Sequence, residues 1–82
     1  MLKIYGTDQC PDCVNCKEEL TNAEIAYEYR NISENLLYLK EFLSLRDREG
    51  IFAPVKEAGK IGIPCIQSED GTVSLSWEPY LK

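Results

Sequence analysis

The sequence contains no histidine, so it lacks the side chain that most often serves as a general base or as a metal ligand. It also lacks an apolar run long enough to span or enter a membrane. Basic residues are few: nine lysines and arginines stand against fourteen acidic residues, and the net charge is −5. Because such a chain has little with which to neutralise phosphates, we expect no nucleic-acid partner and no membrane partner. Chemistry at this protein must therefore come from its thiols.

The four cysteines are closely spaced, with three of them on one predicted helix at Cys10, Cys13 and Cys16, and the fourth at Cys65. A structural disulfide framework is typical of small secreted proteins, and cysteines on one helix cannot cross-link distant loops, so such a framework fits this spacing poorly. The first residues show no basic segment followed by an apolar stretch of signal-peptide length. We therefore expect a cytoplasmic protein with a catalytic or a metal-binding thiol site.

Apolar alternation and turn residues predict one domain over residues 1–82, in the order strand, helix, strand, helix, short helix, strand, strand. We expect strands at 2–5, 25–32, 62–67 and 72–76, and helices at 10–22, 33–50 and 54–59, with one more helical turn over 77–82. The second helix should begin at Ser33 as its cap. Its apolar face is predicted to include Leu36, Leu39, Leu43 and Arg46.

The strand–helix–strand start predicts a parallel strand pair with a right-handed crossover, and Asp70-Gly71 predicts an antiparallel hairpin. Together they give an α/β fold with a four-stranded mixed sheet and flanking helices. Cys10 should lie where the first strand ends and the first helix begins. Unpaired amides and the positive end of the helix dipole there favour a thiolate, the species that attacks disulfides. Asp12 opposes this effect, and Cys13, one turn farther along, should face the core.

The CPDC segment at 10–13 and the Ile63-Pro64 pair before the third strand resemble the glutaredoxin branch of the thioredoxin-like proteins, over roughly residues 1–76. The C-terminal helix of this chain is expected to be truncated relative to that family. The resemblance implies a thioredoxin fold and a cis bond between Ile63 and Pro64. It also implies a thiol–disulfide oxidoreductase without an organic cofactor, in which Cys10 attacks and Cys13 resolves. The residues expected to shape the substrate groove are Pro11, Asp12, Ile63 and Pro64.

The chain departs from the glutaredoxin pattern where glutathione binds. Residues 7–9 carry no basic side chain, Asp12 replaces a common aromatic residue, and residues 75–79 replace a glycine-rich stretch that binds carboxylates of glutathione. These changes remove positive charge and backbone donors from the site of an anionic tripeptide. We therefore expect protein or small-molecule disulfides as substrates. The expected electron donor is a thioredoxin-reductase-like protein or another dithiol, and the expected state is a monomer.

Cys16 and Cys65 are each open to two interpretations. Either they are small buried hydrophobic residues, or they are accessory thiols of the site, with Cys65 brought near the first helix by the fold. The alternative function is a metal-binding protein in which zinc, iron or an iron–sulfur cluster is held by all four cysteines. Three ligands at steps of three residues along one helix, as at Cys10, Cys13 and Cys16, progress around the helix axis and spread over about two turns, which suits a single metal ion poorly. We therefore favour the redox interpretation without a metal.

Overall fold

The first strand, β1 (Leu2–Gly6), lies inside a four-stranded sheet of order β2-β1-β3-β4. The computed structural model describes residues 1–81. Strand β1 pairs in parallel with β2 (Tyr27–Asn31) and antiparallel with β3 (Cys65–Gln67), which in turn pairs antiparallel with β4 (Val73–Ser74). The mixed sheet thus has the architecture predicted from the sequence.

Helix α1 (Pro11–Asn22) connects β1 to β2, and helices α2 (Leu36–Arg48) and α3 (Ala53–Glu57) connect β2 to β3. Short 3-10 turns stand at Gly50–Phe52 and Glu78–Tyr80, the second of which is the expected single C-terminal turn. None of the helices within residues 1–81 is long and apolar enough to cross a membrane.

Strand alternation divides the core into two layers, one on each face of the sheet. On one face Ile4 and Ile66 pack against Cys16 and Leu20 of α1. On the other face Tyr5 and its cross-strand neighbour Cys65 pack against side chains from α2 and from the turn before α3. The members of this second layer are Tyr5, Phe42, Leu45, Phe52 and Cys65. Helices therefore cover both faces of the sheet.

Helix α2 differs from its prediction at its start and in its buried face. Its cap is Asn35, whose Oδ1 accepts hydrogen bonds from the amides of the second and third helical residues at 2.9 and 3.3 Å, and not Ser33. Phe42 is buried with its ring centroid 6.4 Å from that of Tyr5 and 6.0 Å from that of Phe52. An aromatic ring buries more apolar surface than a leucine, so it sets the rotation of the helix. The leucines left exposed are Leu36, Leu37 and Leu43.

The last two strands are shorter than predicted. Gly62 has a φ of 95°, and Pro64 has no amide hydrogen to donate, so the β3 ladder begins only at Cys65. Strand β2 also begins two residues late, because the Ile25 amide donates to the Leu20 carbonyl at 2.9 Å and closes the end of α1. Pairing begins where backbone donors become available to a neighbouring strand.

Candidate active site

Cys10 lies at the junction between β1 and α1. It is the N-cap residue of α1, with Pro11 as the first helical residue, as the sequence predicted. The amides of Cys13 and Val14 donate to its carbonyl at 3.1 and 3.2 Å, and its own amide donates to the Thr7 carbonyl at 3.1 Å. The Cys10 side chain is half-buried. A partly accessible thiol thus stands at the positive end of the helix dipole.

Cys13, one turn farther along α1, is fully buried with 0% of its surface exposed. A β-carbon placed on Gly6 would lie only 2.7 Å from the Cys13 sulfur, so the last residue of β1 leaves room for this thiol by having no side chain. Burial raises the pKa of Cys13 to about 12, with the neighbouring Cys10 adding to the effect and a backbone hydrogen bond from Thr7 opposing it. The pair therefore consists of one accessible thiol and one buried, protonated thiol.

A groove of about 740 Å³ opens beside Cys10. Its walls come mainly from the α3–β3 loop, and most of the side chains along it are apolar. Residues that line it include Cys10, Val55, Lys60, Ile61, Ile63 and Leu75. The Cys10 thiol can therefore meet a disulfide that is carried on an apolar segment.

The groove contains only part of the set expected to bind substrate. Ile63 lines it, and the Ile63–Pro64 bond is cis, as the resemblance implied. Pro64 itself is buried, while Pro11 and Asp12 are exposed on α1 and do not line the groove.

Arg46 holds the loop that forms one wall of this groove. Its guanidinium donates from Nε to the Ile61 carbonyl at 2.8 Å and from a terminal nitrogen to the Lys60 carbonyl at 2.7 Å. Gly62 packs so closely on Phe52 that a β-carbon there would lie 2.8 Å from the ring. The wall is therefore built before a substrate arrives. The sequence placed Arg46 on the apolar face of α2, and nothing in that pattern pointed to a contact with residues 60 and 61.

Cys16 and Cys65 lie on opposite faces of the sheet. Cys16 packs between Ile4 and Leu20, and burial raises its pKa to about 11. Cys65 packs with Phe42 on the other face, and burial raises its pKa to about 12. The expectation that Cys65 lies near the first helix is wrong, because strand alternation turns Ile66, and not Cys65, towards α1.

This separation bears on the four-cysteine metal hypothesis. Within residues 1–81 no group of three or more cysteine, histidine or acidic side chains is placed to hold a metal ion. The sheet lies between Cys65 and the thiols of α1. The four sulfur atoms therefore do not form one ligand set.

A second group of side chains lies next to Cys13, and the sequence did not point to it. Lys17 of α1 pairs with Asp8 at 2.6 Å, and its ammonium lies 4.0 Å from the ring centroid of Tyr29 on β2. The Tyr29 hydroxyl is buried and has no hydrogen-bond partner among the described residues. In the sequence Tyr29 is one of several aromatic residues in a strand pattern, and nothing in that pattern separates it from the core.

Comparison with known proteins agrees with this geometry. A family model for glutaredoxins matches residues 2–67, from the start of β1 to the end of β3. The chain belongs to the glutaredoxin family. A Haemophilus influenzae protein described as uncharacterized is 32% identical over 72 residues, which are 88% of this chain and 84% of that protein. No solved structure matches the chain significantly.

Family membership shows the fold class and supports the broad chemistry. The four-stranded mixed sheet with three helices is the thioredoxin fold in its glutaredoxin form, as the sequence predicted. Membership also supports a thiol oxidoreductase function at the level of the family. In this glutaredoxin the CPDC segment stands at the junction of β1 and α1, and its two thiols are close together.

Proposed function

We propose that this glutaredoxin is a dithiol–disulfide oxidoreductase in which Cys10 is the attacking thiol and Cys13 the resolving thiol. The observation that carries the proposal is the difference between the two groups. Cys10 is accessible at a helix start beside an open groove, whereas Cys13 is buried one turn away with a raised pKa. Attack on a disulfide needs an accessible thiolate, and a resolving thiol must wait until a mixed disulfide has formed.

The reaction has two exchange steps. The Cys10 thiolate attacks one sulfur of the substrate disulfide, whose S–S bond breaks, and the first substrate thiol leaves. Cys13 then gives up its proton and attacks the Cys10 sulfur; the mixed disulfide breaks and the second substrate thiolate leaves and takes up a proton. The substrate has gained two electrons, and the protein holds a Cys10–Cys13 disulfide that an external dithiol reduces.

Glutathione is a poor candidate for that reductant. The Ser76 amide donates a hydrogen bond to the Ser74 hydroxyl oxygen at 3.1 Å, and the Glu78 amide donates one to the Ser76 hydroxyl oxygen at 3.3 Å. Backbone donors in the segment that binds glutathione carboxylates in the family are thus already used internally, and Glu78 adds negative charge. The groove offers the single cation of Lys60 among apolar side chains. We therefore propose protein or small-molecule disulfides with apolar surroundings as substrates, and a thioredoxin-reductase-type protein or another dithiol as donor.

A dithiothreitol redox titration of anaerobically handled, metal-free protein tests the core of the proposal. Each sample is alkylated, weighed as intact protein and mapped by peptide. We expect a reversible two-electron transition confined to Cys10 and Cys13, absent from Cys10→Ser and Cys13→Ser and preserved in Cys65→Ala. A disulfide that involves Cys16, or no disulfide at all, would refute the assignment.

The choice of reductant is tested by presenting the oxidised protein with either glutathione or dithiothreitol at equal thiol concentration. Dithiothreitol should reduce the Cys10–Cys13 bond much faster than glutathione. Rapid turnover in a glutathione-coupled assay would contradict the proposed independence from glutathione and leave the exchange mechanism in place.

A further inference from the structure

The Tyr29 hydroxyl is a buried polar group that makes no hydrogen bond of normal geometry within residues 1–81, although the Asp8 carboxylate lies close to it. The side chain is half-buried, but its oxygen has essentially no accessible surface and no hydrogen bond within residues 1–81. Buried hydroxyl groups without a partner are rare in native structures because they lose their bonds to water without replacement. Phenylalanine would fill the same space without this cost, so the oxygen calls for an explanation.

Besides the Asp8 carboxylate, the group that faces this hydroxyl is the Cys13 thiol. The Cys13 sulfur and the Tyr29 oxygen both lie close to Gly6. A β-carbon built on Gly6 would lie 2.7 Å from the sulfur and 3.4 Å from the oxygen. The thiol comes from α1 and the phenol from β2, so two separate elements bring them together over the end of β1. One buried hydroxyl and one buried thiol thus approach the same point at Gly6, without a hydrogen bond between them in the reduced protein.

The surroundings keep this phenol protonated and fixed in place. Burial raises the pKa of Tyr29, and the Asp8 carboxylate and the two site thiols raise it further, although Asp8 makes no hydrogen bond of normal geometry to it. The Lys17 ammonium, paired with Asp8, lies 4.0 Å from the ring centroid and holds the ring through a cation–π contact. A phenol in this setting can donate a hydrogen bond and does not serve as a base.

We propose that Tyr29 is a positioning residue for the resolving step, in which its hydroxyl donates a hydrogen bond to the Cys13 sulfur as that sulfur becomes a thiolate. The inference rests on the proposed function. Tyr29 keeps its own proton throughout. The proton of Cys13 leaves through solvent, the new bond joins the two cysteine sulfurs, and the departing substrate thiolate takes up a proton. The hydrogen bond stabilises the charge where burial opposes it.

A chromogenic aromatic disulfide, 5,5′-dithiobis(2-nitrobenzoate), separates the two chemical steps in one experiment. Attack by Cys10 releases a first coloured thiolate, and resolution by Cys13 releases a second. In Tyr29→Phe we expect the first release to be unchanged and the second to slow by about tenfold or more, as for loss of a hydrogen bond to a charged group. The rise of the second rate with pH should also move to higher pH in this variant.

Tyr27→Phe is the matched control, because Tyr27 lies two residues earlier on the same face of β2. Its hydroxyl contacts the Thr21 hydroxyl at 3.0 Å and the Lys17 carbonyl at 3.5 Å, away from the thiols. Both release steps should be unchanged there. The other titratable groups around Cys13 and Tyr29 are present in both variants. A shift in the pH dependence of the second release that occurs only in Tyr29→Phe is therefore due to loss of the Tyr29 hydroxyl. These groups are Asp8, Cys10, Cys16 and Lys17.

An independent measurement uses the Cys10→Ser chain, in which the rate of alkylation of Cys13 is followed against pH by peptide mapping, which distinguishes it from Cys16 and Cys65. Adding Tyr29→Phe should move formation of the Cys13 thiolate to higher pH. An unchanged second release in Tyr29→Phe, or an equal loss in both release steps, would overturn the inference and leave the exchange mechanism standing. Absence of a second release in the unaltered chain would overturn the proposed function and the inference with it.

Discussion

Replacing Gly6 by alanine tests whether the end of β1 makes room for the resolving thiol. The added β-carbon would lie 2.7 Å from the Cys13 sulfur and 3.2 Å from its β-carbon. Real β-carbons essentially never lie within 3.0 Å of a non-bonded heavy atom, so something must move, and Cys13 is fully buried. Overpacking of this kind costs about 1–3 kcal/mol of unfolding free energy. With a urea slope of about 1–3 kcal/mol per molar, the midpoint should fall by roughly 1 M.

The assay is urea unfolding of the reduced protein followed by circular dichroism, together with the two-step release of the aromatic thiolate. We expect Gly6→Ala to lower the midpoint and to slow the second release more than the first, because the displaced atom is the Cys13 sulfur. Gly50→Ala is the matched control: a β-carbon at Gly50 meets nothing within 4 Å, and the midpoint should be unchanged or slightly higher. Equal midpoints and equal release rates for Gly6→Ala and the unaltered chain would refute this account of the site.

Two further predictions concern the buried thiols and the groove. Burial raises the pKa of Cys13 and Cys65 to about 12 and of Cys16 to about 11, from an ordinary value of 9.0, so a brief treatment with iodoacetamide near neutral pH should label Cys10 alone by peptide mapping. The folded state binds these protons more tightly than the unfolded state. The free energy of unfolding of the reduced protein should therefore be unaffected by these thiols below pH 9 and fall as the pH rises from 9 towards 12. A urea midpoint that rises over that window would contradict the burial. At the exposed groove residue Ile61, lysine should speed reduction of the disulfide form by glutathione several-fold and glutamate should slow it, with both effects weakened by salt. Equal rates for the two variants would show that charge in the groove does not limit the use of glutathione.

Much of the fold followed from local rules that a sequence displays directly. Pro11 can stand only in the first turn of a helix, so it located the start of α1, and with it Cys10 at the helix end. The alternation of apolar residues in β1 and the Asp-Gly turn between β3 and β4 predicted the central strand and the hairpin. These features depend on neighbours within a few residues, so no knowledge of the tertiary fold was needed.

What the sequence could not show depended on tertiary packing. The buried face of α2 was decided by Phe42, which packs against the rings of Tyr5 and Phe52, although the leucines alone predicted a different face. The side of the sheet on which Cys65 lies depended on the exact residue at which β3 begins to pair, and a shift by one residue reverses the face. The approach of Tyr29 to Cys13 joins two elements across β1, which no local pattern contains.

The different chemistry of the four thiols in this glutaredoxin follows from their places in the fold. Cys10 lies at the N-terminal end of α1 beside an open groove. Cys13 lies against Gly6, which leaves room for its sulfur, and the Tyr29 hydroxyl approaches the same point. Cys16 and Cys65 are fully buried in the two core layers on opposite faces of the sheet, where ionisation is costly and a disulfide substrate has no access. Under this assignment of roles, a Cys10→Ser chain that retains the buried Cys16 should not attack an external disulfide. Attack by Cys16 in that chain would mean that α1 opens, and that burial in the folded state does not by itself decide which thiol reacts.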